Sequence, residues 1–211
     1  MALDCNCPTK TALDTVEYNP CFEQFGKDGR WAFQRLDDAG NAFVDAVNGI
    51  EEEASWTPLP DAVDDTKVVI TPLLEEVTFN EPAKLEDSEN LDGAAIVVGS
   101  GPQLVTAVVR NMTPDQMKAL KALGCEVNLT LYRIDNNGKI MAREITDTPA
   151  TYGGIKISPN TFIVLDPTRG GARVDQLKAT IQFYLPANWY DTTKVIIPEA
   201  GFDPLTDIKP A

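Results

Sequence analysis

The segment 112–124 carries a helix signal with both ends specified, in a chain whose other signals are strands. Thr113 is a good N-cap, Pro114 suits the first helical position, and Gln116 completes a capping box. Met112 and Met117 stand where a hydrophobic staple would close, and Gly124 offers a left-handed stop. One capped helix over 113–123 among alternating and β-branched runs restricts the chain to a mainly β fold. The expected architecture is a β-domain carrying this one short helix.

A length of 211 residues allows one substantial core or two small ones, and an apolar content of 43% is enough to build it. Strand signals with alternating or β-branched patterns cover 30–36, 66–71, 76–79, 94–98, 104–110 and 126–134, and again 139–145, 161–165 and 179–185. In 30–36, Trp31, Phe33 and Arg35 share one face and Ala32, Gln34 and Leu36 the other. Val127, Leu129 and Leu131 share a face in the same way. Asp37-Asp38-Ala39-Gly40-Asn41 predicts a hairpin returning through 42–47. Asp135-Asn136-Asn137-Gly138 predicts a second, clearer one.

Between 80 and 93 the chain turns polar and acidic and predicts a long mobile loop. Residues 1–29 and 198–211, rich in turn formers and proline, predict extended arms around a domain at 30–197. The runs 65–72 and 191–198 resemble each other, a likeness too short for a duplicated module and attributable to shared strand chemistry.

Charge and side-chain inventory exclude several functions. With 32 carboxylates against 18 basic residues, net −14, the chain lacks the clustered cations that hold phosphates. It contains no histidine, which removes Ser-His-Asp and Cys-His catalysis and the commonest metal ligand. Cys5, Cys7, Cys21 and Cys125 lack the paired spacing of a zinc site, and no metal or other cofactor is expected. The start, Met1-Ala2-Leu3-Asp4-Cys5, has no basic stretch leading into an apolar one, so no secretory signal is expected. No run approaches the roughly 20 apolar residues of a membrane span, and no membrane partner is expected.

Gly99-Ser100-Gly101-Pro102 lacks the Lys and the helix of a phosphate loop and reads as a turn. The 135–138 turn lacks the terminal Glu of a calcium loop. Carboxylates are too numerous for any pair to single itself out as an acid–base couple, and the chain is not expected to be an enzyme. Trp56, Trp189 and Tyr190 could form an aromatic platform for a carbohydrate, although buried tryptophan is the ordinary alternative.

The order of features resembles a known family. A Trp precedes a Thr-Lys-Val strand (Ser55-Trp56 to Thr71-Pro72), followed by a long polar loop. A strand, a short capped helix and a Tyr-bearing hairpin turning at Gly138-Lys139-Ile140 come next. Over about residues 30–190 this is similar to the tail tube proteins of long-tailed bacteriophages. The resemblance implies a β-sandwich with one flanking helix, six copies to a ring, and inner sheets joined into a barrel. Rings would stack through the long loop and the arms, making Glu81, Glu86, Asp87, Glu89 and Asp92 candidate assembly residues. The partners implied are further copies, other tail proteins, and DNA as a polymer in transit past an acidic lumen. The location implied is the virion, after synthesis in the host cytoplasm. Rival readings are a head–tail connector, a capsid-decorating protein, or a carbohydrate-binding sandwich.

Overall fold

The computed structural model describes residues 25–36, 43–44, 49–82, 84–89, 95–110, 112–147, 149–168 and 178–208. In chain order the strands begin with β1 (Asp28–Arg35), β2 (Phe43–Val44), β3 (Val68–Ile70) and β4 (Leu74–Phe79). Then come β5 (Lys84–Glu89), β6 (Ala95–Ser100), β7 (Gln103–Arg110), β8 (Leu129–Asp135) and β9 (Ile140–Asp147). The remainder are β10 (Ala150–Gly153), β11 (Ile155–Lys156), β12 (Ile163–Thr168), β13 (Lys178–Leu185) and β14 (Thr193–Ile196). A single helical turn, α1 (Glu53–Trp56), and the helix α2 (Pro114–Ala122) complete the regular elements.

Alternation in β1 and β8 produces two apolar faces rather than one. Trp31 and Phe33 of β1 lie on the same side of their sheet as Leu129 and Leu131 of β8, and these four are buried in one core. Ala32, Tyr132 and Ile134, turned the other way, are buried in a second. All seven residues of β8 are buried as a result. A strand with no solvated face belongs to the middle of a layered structure.

The sheet containing β1 and β8 has eight strands in the order β2-β10-β9-β8-β1-β3, with β11 added on β8 and β14 on β9. Every pairing is antiparallel. A four-stranded antiparallel sheet, β12-β13-β7-β4, covers its first face. Val105, Ala107 and Val109 of β7 and Ile181, Phe183 and Leu185 of β13 meet Trp31 and Phe33 there. The aromatic rings pack edge on, Trp31 to Phe183 at 5.2 Å and Phe33 to Phe162 at 5.1 Å.

The second face is closed by irregular chain. Trp56 of α1 stacks on Phe43 at 4.7 Å and meets Tyr132 edge on at 5.2 Å, while Ile50, Phe202 and Ile208 fill the remainder. The expected extended tail beyond 197 is therefore not extended over 199–208. It runs through turns and packs Phe202 and Ile208 on the large sheet, because Tyr132, Ile134, Ile140 and Ala142 would otherwise face water. Glu199 N–H bonding to the Glu51 carbonyl at 3.0 Å ties the two covering segments together.

The helix begins as the sequence dictates. Gln116 N–H donates to Thr113 Oγ1 at 3.2 Å, and Thr113 N–H donates to Gln116 Oε1 at 2.9 Å. Leu120 is the buried anchor, with Met112 and Met117 packed beside it on the first core. Its end differs from the expectation. Gly124 lies in a 3-10 turn, Leu123–Cys125, and is not left-handed. A Cβ there would come within 3.2 Å of the Phe162 carbonyl, so glycine serves close approach to the neighbouring chain.

The 135–138 hairpin forms as expected. Asp135 and Lys139 bond across it, and Gly138 adopts the left-handed conformation at φ +80°. The first expected hairpin does not form as a return onto β1. Residues 37–42 and 45–48 lie outside the described residues, and Phe43–Val44 pairs with β10. The neighbours of β1 are β3 and β8, brought in from 40 and 100 residues away by the shared core. The two similar runs at 65–72 and 191–198 supply β3 and β14. Among the described strands β3 pairs only with β1 and β14 only with β9. A lysine ahead of a β-branched triplet and a proline after it are devices that suit a strand end at a sheet border.

Candidate functional site

The expected mobile loop at 80–93 contains a strand. Lys84–Glu89 forms β5 and pairs with β6, with Glu86 opposite Val97 and Asp87 opposite Ile96. Ladder bonds use backbone groups and form regardless of side-chain charge, while the β-branched partner strand favours extension. Of the five acidic candidates, Glu81 is exposed just ahead of β5, Glu86, Asp87 and Glu89 lie within it, and Asp92 is outside the described residues. The β5–β6 pair is a sheet of two strands joined to no other among those described.

The aromatic candidates are divided between the two sides of the large sheet. Trp56 is fully buried in the second core, where its Nε1–H donates to the Ile50 carbonyl at 2.8 Å. It is thus unavailable to a ligand. Trp189 and Tyr190 lie together in a 3-10 turn, Trp189–Thr192, their rings edge on at 5.5 Å. One face of Trp189 stacks on Phe79 at 6.0 Å, and its Nε1–H donates to Gln103 Oε1 at 2.8 Å. Tyr190 is exposed beside a hollow of about 390 Å³ that also touches Pro82 and Gly101.

Beneath Trp189 lies a charged cluster that the sequence does not announce. Arg133, on β8, donates from Nε and Nη2 to the two carboxylate oxygens of Asp28, both at 2.8 Å. Its guanidinium lies over Phe79 at 4.3 Å and Phe25 at 4.8 Å. Both members of the pair are buried, and Asp28 Oδ1 also accepts from Trp31 Nε1–H at 3.3 Å. Asp135, fully buried, accepts backbone N–H bonds from Gly26 (2.7 Å), Asn137 and Lys139 (both 2.8 Å). These carboxylates are satisfied by neighbouring donors, an arrangement that fixes the 25–28 segment and the hairpin turn. Tyr132 has its phenol pushed up by burial, and its O–H donates to Gln34 Oε1 at 3.0 Å.

A cavity of about 780 Å³ runs along β3 and is lined by 67–73 on one side and Leu120 of α2 on another. Arg30, Lys67 and Arg110 bring three cations to its wall, against Asp61 and Glu75. Arg110 is ion-paired with Glu75. Arg30 is half-buried, and its Nε has no hydrogen-bond partner. Burial lowers its affinity for the proton, opposed by the charge of Asp203.

A third surface is the outward face of the small sheet. Ile163 and Leu165 of β12 and Tyr184 of β13 are exposed there, next to Thr180 and Gln182. No group of three or more His, Cys, Asp or Glu suited to a metal occurs among the described residues. Cys125 is free and exposed, and the other cysteines fall outside the described residues. No helix is long and apolar enough to cross a membrane among the described residues.

Sequence alone does not single out Arg30 or Arg133 from the other basic residues, since what distinguishes them is burial between distant strands. Compared with known proteins, the chain matches no protein-family model, no curated protein and no solved structure.

Proposed function

We propose that this chain is a structural subunit of a phage tail tube, six copies to a ring and rings stacked. It would be made in the host cytoplasm and incorporated into the virion. Its partners would be further copies, other tail proteins at the tube's ends, and DNA in passage. The observation that carries the reading is the β5–β6 hairpin. Two strands alone are marginal in water, and a hairpin that joins no further strand among the described residues gains stability by joining another sheet. The sheet edges, open among the described residues, and the exposed Ile163, Leu165 and Tyr184 support the same reading, since unpaired edges and apolar patches favour association.

Charge supports the transit role. Six chains at −14 give −84 per ring, and a wall of that sign repels phosphate and offers DNA no sticking point. A structural role needs no catalytic centre and no cofactor. The carbohydrate-binding alternative would have to work from Trp189 and Tyr190 without Trp56.

Negative-stain electron microscopy across a concentration series tests the proposal. Stacked rings with a central channel are the expected result. A monomer at every concentration and salt level would overturn it. Dodecameric rings or trimers would instead favour the connector or decorating role.

A further inference from the structure

We propose that the cleft along β3 is a strand-addition site that receives the acidic strand β5 of a second copy. The inference rests on the self-assembly reading above and names the receptor and the segment it takes.

The backbone register supplies the first argument. Thr71 N–H donates to the Trp31 carbonyl at 2.8 Å, and Phe33 stands opposite Val69. Bonded and non-bonded pairs alternate along an antiparallel ladder, so Val69 faces β1 while Ile70 turns its N–H and C=O away from it. Val68 N–H, turned the same way, is already taken by the Leu59 carbonyl at 3.0 Å. Ile70 therefore offers a donor and an acceptor to the cleft, the pattern by which a sheet edge accepts an added strand.

Charge supplies the second. In a chain of net −14, this cleft sets Arg30, Lys67 and Arg110 against Asp61 and Glu75, the latter paired with Arg110, and its wall keeps a positive balance. Arg30 lines the cleft and its Nε–H lacks an acceptor, so a carboxylate arriving on the added strand would give its guanidinium a charge-assisted partner. β5 reads Lys84-Leu85-Glu86-Asp87-Ser88-Glu89, a strand with three carboxylates and one amine, in a hairpin that joins no further strand among the described residues. Its charge complements the cleft, and it belongs to a different sheet from β3, so each copy can give one hairpin and receive another. Such a heterologous contact repeats from copy to copy.

The test uses the full chain at concentrations where it is monomeric and a fluorescently labelled peptide of residues 82–90, followed by anisotropy. Saturable binding is expected, weakened about tenfold by Arg30→Gln, a variant at a half-buried position near the start of β1 whose fold is checked by circular dichroism. The peptide carrying E86K, D87K and E89K should not bind. Absence of saturable binding would overturn the proposal. So would binding unchanged by Arg30→Gln, or matched by a scrambled peptide of the same composition. The outcome is separable from the tail tube reading. Tubes that form with unchanged affinity in Arg30→Gln leave that reading standing without this contact. Peptide binding in a chain that never forms rings keeps the cleft and removes the tube.

Discussion

Trp31 and Phe33 look across the first core at a second sheet, whereas Tyr132 and Ile134, on the opposite face, look at turns and one helical turn. The first core is closed by β7 and β13, which pair continuously from Gln103–Leu185 to Arg110–Lys178. Its lid is a cooperative ladder that cannot open one residue at a time. The second core is closed by segments held through single bonds, such as Trp56 Nε1–H to the Ile50 carbonyl and Glu199 N–H to the Glu51 carbonyl. Two apolar faces of one sheet can thus be equally dry and still differ in how they come apart. The sheet-covered side should open only with the whole molecule, and the loop-covered side at lower free energy.

Substitutions on either side would break or sharpen this contrast. The largest effect is expected from Phe183→Ala, a fully buried ring in contact with Trp31, Phe33 and Phe162. It should cost about 4 kcal/mol in denaturant unfolding and lower hydrogen-exchange protection in both sheets together. A loss confined to β13 would contradict a cooperative first core.

Next comes Asp28→Asn, which leaves the Arg133 guanidinium buried beside a neutral partner at the rim of that core. A loss of about 3 kcal/mol is expected by the same measurement. Removing both charges in Asp28→Asn/Arg133→Met should recover part of it, and purely additive losses would argue against a coupled pair.

On the other side, Ile208→Ala should cost about 2 kcal/mol or less, because the tail can undock without the sheets separating. Hydrogen exchange should rise in 199–208 and 49–66 and stay unchanged in β7 and β13. A global rise would equate the two cores.

The smallest effect is expected at the surface. Arg35 donates to both Glu126 oxygens, at 2.9 and 2.7 Å, and this bond holds the Glu126 carboxyl below its ordinary range. A depressed folded-state value stabilises the fold above the unfolded carboxylate range and loses that contribution as pH falls through the folded value. Glu126→Gln should therefore lower Tm at pH 7 by at most about 2 °C, and the difference should shrink as pH falls below the ordinary carboxylate range and vanish once pH has passed the depressed folded-state value. A difference that persists in acid would assign the effect to packing.

What could be read beforehand was local. The Thr113–Gln116 capping box and the 135–138 turn are decided within a few residues by backbone donors and by glycine's freedom at positive φ. The alternation of β1 correctly separated Trp31 and Phe33 from Ala32. The partners of β1 were not legible, since strand pairing across 40 or 100 residues is chosen by which faces can be buried together. The acidic segment read as a loop because its polarity was visible and its partner β6 was not. The three aromatic candidates carried no mark of burial in their own neighbourhoods, and only packing separated Trp56 from Tyr190. Arg30 and Arg133 were likewise indistinguishable from solvated cations.

The mainly β class, the capped helix, the second hairpin and the acidic charge follow from short stretches of chain, because periodicity, capping and turn chemistry act over short spans. Packing of distant segments decided that β1 and β8 are covered on both faces, that the tail folds back onto the large sheet, and that the Arg30 Nε lacks an acceptor beside β3. Those outcomes depend on the competition among distant segments for the same apolar surface, and no short stretch of chain contains that information.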